Sequence, residues 1–161
     1  MSSLADAARD FLSQKRIAVA GVSRTGDEAA NLIYRKLRGA GYQVYAVNPH
    51  ADVVEGDRAW NGLATIPGGV DAVVIATPAA AAADLVRESA ELGIRRVWIH
   101  RAIGPGSFDE DAVGLARDLG LSVIPGSCPM MFCQPVDFGH KCMRWIFHAT
   151  GQDARPHGFA G

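Results

Sequence analysis

No run of apolar residues in this 161-residue chain approaches the roughly 20 that a membrane helix needs. The N-terminus, Met1-Ser2-Ser3-Leu4-Ala5-Asp6, has no basic stretch followed by an apolar one, so no secretory signal is read there. Cysteine is scarce. Cys128, Cys133 and Cys142 are the only three, and an odd number without a signal argues for a reducing compartment. A surplus of either charge is missing too. The 16 basic and 17 acidic residues leave a formal net charge of −1, which excludes a broad electrostatic grip on nucleic acid or an anionic membrane. A local pocket for one small anion remains compatible with that balance. The expectation is a soluble, cytoplasmic protein.

What is present is the composition of one globular domain, with 48% hydrophobic and 20% charged residues. Apolar runs alternate with amphipathic segments. Ser3-x-x-Asp6 caps a helix to about Leu12, and Arg16-Ile17-Ala18-Val19-Ala20 is a buried strand ended by Gly21. A helix is predicted from Glu28 to Ala40, then a strand over Gln43–Val47 stopped by Asn48-Pro49. Val53-Val54 reads as a short extended piece, and Gly62 to Ile66 as a loop with one helical turn. Asp71 to Ala76 is the clearest strand. Thr77-Pro78 opens a helix through five alanines to about Leu92. Arg95 to Ile99 and Leu121 to Ile124 are strands four and five, separated by a helix that a Ser107-x-x-Glu110 capping box starts. A final helix is expected from about Phe138 to Thr150, followed by a frayed polar tail, 152–161. Five alternations of strand and helix give a doubly wound α/β fold: a five-stranded parallel sheet with helices on both faces, in one domain spanning 1–151.

Ligands of such sheets sit at the C-terminal strand ends. Those ends carry Gly21-Val22-Ser23-Arg24, Asn48-Pro49, Thr77-Pro78 and His100-Arg101. In the first turn, glycine lets a ligand approach the backbone, Ser23 adds a hydroxyl donor and Arg24 a guanidinium suited to phosphate. The dinucleotide fingerprint G-x-G-x-x-G is incomplete, because Ser23 stands at its second glycine. The second strand ends in Asn48-Pro49, with no acid for a ribose hydroxyl. Asp27 after Gly26 removes the P-loop lysine, and Gly21-x-Ser23-x-Thr25 misses the esterase elbow by one glycine.

Val19-Ala20-Gly21-Val22-Ser23-Arg24, Gly41-Tyr42-Gln43-Val44-Tyr45-Ala46-Val47-Asn48-Pro49, Val70-Asp71-Ala72-Val73 and Val97-Trp98-Ile99 resemble the small stand-alone CoA-binding proteins. These are similar to the N-terminal CoA-binding domain of the succinyl-CoA synthetase α subunit. The resemblance covers about residues 11–150 and implies a Rossmann-like fold that binds coenzyme A. It implies that Gly21, Val22, Ser23 and Arg24 hold the phosphates, that Asn48 and Pro49 lie near the adenosine, and that Thr77 and Pro78 close the other side. Asn31 and Arg35, early in the next helix, are weaker candidates. Many relatives carry a glutamine-rich segment after the tryptophan; here it is His100-Arg101-Ala102-Ile103-Gly104-Pro105-Gly106. The synthetase's phosphorylated histidine lies in a second domain with no counterpart here, so ligase activity is not implied.

Gly126-Ser127-Cys128-Pro129-Met130-Met131-Phe132-Cys133, with Asp137, His140 and Cys142, is open to three readings. The cysteines and methionines pack as soft hydrophobes, which base rates favour. Alternatively Cys128 is a thiol near bound CoA. The third reading is a metal site from Cys128, Cys133, His140 and Cys142, with a spacing unlike common zinc motifs. His100 and Arg101 read equally as an anion or thioester contact and as a solvated loop pair. His148 reads as an exposed helix residue, and Trp60, Trp98 and Trp145 as packing. The expected function is binding of CoA or an acyl-CoA as a carrier, sensor or partner module, with no catalytic or metal-ligating residue. The alternative is a small NADP-linked oxidoreductase or a CoA-dependent transferase using Cys128. A homo-oligomer and a separate protein partner both stay open.

Overall fold

The structure, a computed structural model, describes residues 3–26, 28–100 and 109–134. Its strands are β1 (Arg16–Ala20), β2 (Gln43–Val47), β3 (Val53–Val54), β4 (Asp57–Trp60), β5 (Ala72–Ile75), β6 (Arg96–Ile99) and β7 (Ser122–Pro125). Its α-helices are α1 (Leu4–Leu12), α2 (Ala29–Gly39), α3 (Ala79–Glu91) and α4 (Glu110–Asp118). The fold is single-domain, α/β and Rossmann-like, with a sheet ordered β3-β4-β2-β1-β5-β6-β7.

The five expected strands are present and parallel to their neighbours. The sheet nevertheless has seven strands and is mixed, which corrects the five-stranded, all-parallel expectation. β4 pairs parallel with β2 through Ala46–Ala59 and Val47–Trp60, and β3 folds back antiparallel on β4. Asp57-Arg58-Ala59-Trp60 carries no apolar run because this strand lies near the sheet edge. Only Ala59 of the four is buried, and Asp57 is engaged by α2 instead. Glu55 and Gly56 link β3 to β4 with φ of 52° and 79°, the paired positive values of a two-residue type I′ turn.

Alternate strand residues serve opposite layers, as the pleat requires. Ile17, Val19, Val74 and Trp98 pack under α1 and α2, against Phe11, Ile33 and Leu37. Ala18, Ala20, Val73 and Ile99 face α3 and α4, against Ala82, Val86, Ala112 and Ala116. The buried ring of Trp98 meets Phe11 edge-on at 5.2 Å, and its Nε1 donates to the Gly126 carbonyl at 3.1 Å. Truncating such a ring to alanine costs about 3–5 kcal/mol.

The helix ends follow the sequence closely. Ser3 and Asp6 form the expected capping box of α1. Pro78 is the N-cap of α3, one residue later than expected. Asp109 caps α4, its side chain accepting the Asp111 amide, so the helix starts at Glu110 rather than from a Ser107 cap. Ser107, the helix expected at 138–150, the boundary at 151 and the tail lie outside the described residues. Among the described residues no helix is long and apolar enough to cross a membrane.

Candidate functional site

β1 lies mid-sheet, with β2 on one side and β5 on the other. The chain leaves β1 through α2 on one face and leaves β5 through α3 on the opposite face. The two connections diverge above the strand ends and open a crevice there, the switch point of a doubly wound sheet. A cleft of about 590 Å³ occupies it, within the range of small-molecule sites.

Gly21 makes the floor. It has φ of +103°, and a Cβ there would stand 2.5 Å from the Ala76 carbonyl oxygen, so only glycine fits. Beyond it, the Ser23 and Thr25 hydroxyls lie 2.7 Å apart, and the Ser23 Oγ accepts the Thr25 amide at 3.1 Å. Arg24 is exposed at the rim and has no ion pair or hydrogen bond among the described residues. On the β2 side, Asn48 Nδ2 donates to the Val22 carbonyl at 2.9 Å and its Oδ1 accepts the His50 amide at 2.7 Å. Asn48 thus ties the first two strand ends together, while Pro49 walls the cleft. On the β5 side, Thr77 and Pro78 line it at the start of α3. The positive end of that 13-residue helix favours an anion.

Seven of the ten expected site residues therefore line one cleft: Gly21, Ser23, Arg24, Asn48, Pro49, Thr77 and Pro78. Three do not. Val22 is fully buried and packs into the layer under α2. Asn31 is fully buried and holds the backbone of Ser23 rather than facing the cleft. Cys128 is 4% exposed and belongs to the apolar layer with Phe11 and Trp98. The packing reading fits Cys128 and Cys133, both buried; His140 and Cys142 lie outside the described residues. The weaker candidate Arg35 is already paired with Glu55 at 2.8 Å. His100 is buried, not solvated, and burial brings its pKa down to about 4, so it is neutral at pH 7. Trp60 carries the Arg58 guanidinium over its ring at 4.3 Å.

The far wall was not foreseen. Ala81, Asp84, Leu85 and Glu88 line the cleft from α3, and their spacing of three, one and three is that of one helix face. That spacing, following Thr77-Pro78, was the available signal. Asp84 is paired with Arg87, and Glu88 accepts the Ala64 amide at 3.1 Å. The cleft is therefore polarised, with basic and hydroxyl groups at the β1 turn and carboxylates along α3.

The profile of the CoA-binding domain matches residues 15–134. This chain belongs to the CoA-binding domain family. The resemblance to the stand-alone members of the family holds. An uncharacterized protein of Bacillus subtilis, YneT, is 28% identical over 114 residues, covering 71% of this chain and 82% of YneT. Acetate–CoA ligase (ADP-forming) II of Archaeoglobus fulgidus is 35% identical over 89 residues. That match covers 54% of this chain and only 13% of the ligase. A solved structure of a hypothetical protein from Pyrococcus horikoshii superposes with a TM-score of 0.74 at 24% identity, over 82% of this chain and 91% of that one.

Proposed function

We propose that this protein binds coenzyme A or an acyl-CoA in the cleft between β1, β2 and α3, as a carrier, sensor or partner module without catalysis of its own. The observation that carries the reading is Arg24, whose guanidinium stands uncompensated among the described residues at the rim of a glycine-floored cleft. A guanidinium beside two hydroxyls and a helix start matches the phosphates of CoA. Family membership narrows the anion to that class. Gly21, Ser23, Arg24 and Thr25 would take the phosphates, Asn48 and Pro49 would lie near the adenosine, and Thr77 and Pro78, at the start of α3, would close the other side. The carboxylates of Asp84 and Glu88 leave the α3 end to uncharged or amine-bearing parts of the ligand. CoA itself supplies a thiol that carries acyl groups as thioesters.

No observation favours the transferase alternative, since neither described cysteine lines the cleft. An NADP reading would draw on the same Arg24, for a 2′-phosphate, but Ser23 stands at the second glycine of the dinucleotide fingerprint. Calorimetric titration with CoA, NAD and NADP tests the proposal. CoA should bind with a Kd of about 1 μM or tighter, with both nicotinamide nucleotides silent. Nicotinamide binding without CoA binding overturns it.

A further inference from the structure

Behind the Gly21–Gly26 turn, away from the cleft, both ends of the turn run into one oxygen atom. The Ser23 N–H donates to Asn31 Oδ1 at 2.8 Å, and Asn31 Nδ2 donates back to the Ser23 carbonyl at 2.7 Å. The same Nδ2 donates to Glu55 Oε1 at 2.7 Å. At the other end, Arg35 Nη1 donates to the Gly26 carbonyl at 2.9 Å and to the same Glu55 Oε1 at 2.8 Å. A carboxylate on the β3–β4 hairpin thus fastens the turn at two points through two side chains of α2.

Glu55 is an unexpected residue for that place. Its φ of +52° lies in the left-handed region that side chains with a Cβ disfavour. A type I′ turn asks for asparagine, aspartate or glycine. Turn chemistry therefore does not account for a glutamate there, whereas its side-chain contacts do. The carboxylate is largely covered, with a side-chain exposure of 11%. Arg38 Nη1 donates to the Glu55 carbonyl at 2.9 Å and fixes the backbone that carries it. A strained residue held by its surroundings points to a task beyond the turn itself.

We infer that Glu55 is a positioning residue, which touches no ligand but holds the Gly21–Gly26 turn, through Asn31 and Arg35, in the conformation that presents Ser23, Arg24 and Thr25 to an anion. The ligand side of this inference rests on the CoA reading of the cleft; the fastening of the turn does not. Ordering the turn before the ligand arrives removes that entropy cost from binding.

The test is Glu55→Asn. Asparagine tolerates the left-handed conformation and suits the turn, but its side chain is one methylene shorter and does not span to both donors. Its thermal midpoint should fall only modestly, because relief of the left-handed strain offsets part of the lost contacts to Asn31 and Arg35, while CoA affinity falls about five- to tenfold, the equivalent of one good hydrogen bond. Glu55→Gln keeps an acceptor at the same reach and should recover affinity to within about twofold of the wild type. Hydrogen exchange at the Ser23 amide, in protein without ligand, should accelerate in Glu55→Asn and not in Glu55→Gln. Wild-type affinity in a stable Glu55→Asn overturns the positioning role. Unchanged Ser23 exchange also overturns it, whatever the ligand. Accelerated exchange in a chain whose wild type does not bind CoA sinks the CoA reading and leaves the fastening standing.

Discussion

Gly21 and Ala76 approach so closely that a Cβ on the glycine would stand 2.5 Å from the alanine carbonyl oxygen. Gly21→Ala should therefore combine left-handed strain with a clash against main chain that cannot swing aside. A loss of about 2–5 kcal/mol is expected in chemical denaturation. Gly93→Ala is the control: φ is +73°, with nothing within 4 Å of the added carbon. It should cost only about 1 kcal/mol.

Arg24→Ala should leave the denaturation midpoint unchanged, because the side chain is exposed and unpaired among the described residues. CoA affinity should fall by about 1.5–3 kcal/mol, the loss of a charge-assisted hydrogen bond. Calorimetry reads both the affinity and the enthalpy. Unchanged affinity would remove Arg24 from the site.

The hairpin is fastened to α2 by carboxylates held below their ordinary pKa values. Asp57 is lowered by the Arg38 guanidinium at 2.6 Å and by the Tyr34 hydroxyl at 2.8 Å. Glu55 is lowered by the Asn31 amide and then by Arg35. Both groups bind protons more weakly when folded, so their stabilisation is present above the ordinary values of 3.8 and 4.5. It is lost as pH falls through and below those values. Asp57→Asn should flatten this acid limb in a plot of melting temperature against pH. An equally steep limb in the variant would show that Asp57 does not contribute to it.

His100 gives a separate pH dependence at higher pH. Burial lowers its pKa from 6.5 to about 4. The folded protein therefore resists a proton that the unfolded chain accepts. Stability should decline between pH 6.5 and pH 4 by on the order of 3 kcal/mol. His100→Gln should be flat from pH 6.5 down to about pH 5, where the carboxylate limb begins. A His100 imidazole shift that titrates near pH 6.5 in NMR spectra would refute the burial argument.

The parts of the fold that the sequence announces are those whose energetics are local or uniformly apolar. Asp71-Ala72-Val73-Val74-Ile75 can hardly be anything but a doubly covered strand. Ser3 and Asp6 satisfy each other within a single turn. β4 is unreadable for the opposite reason, because Asp57 is held by Tyr34 and Arg38 of another element, α2, and Trp60 is covered by Arg58 of its own strand. Glu55-Gly56 hides its hairpin, since glutamate argues against the positive φ it adopts. At the site, Gly21, Ser23 and Arg24 are legible because a turn's chemistry travels with its residues. Asn31 is legible only as a polar residue near that turn. Its burial, and hence its work on the backbone of Ser23 instead of on a ligand, follows from how α2 lies on the sheet. For Cys128, a position after a strand allows a thiol near the ligand, but the fold turns that position inward, in keeping with the favoured packing reading.

The crevice at the switch point is also a seam. On one side of it stand β1, β2, β4 and β3, and on the other β5, β6 and β7. The Ala76 amide bonded to the Ala20 carbonyl at 3.0 Å closes the seam at its upper end. A ligand spanning Ser23, Asn48 and Thr77 would act as a rivet across that join. It would stiffen the turns that follow β1, β2 and β5 at that join.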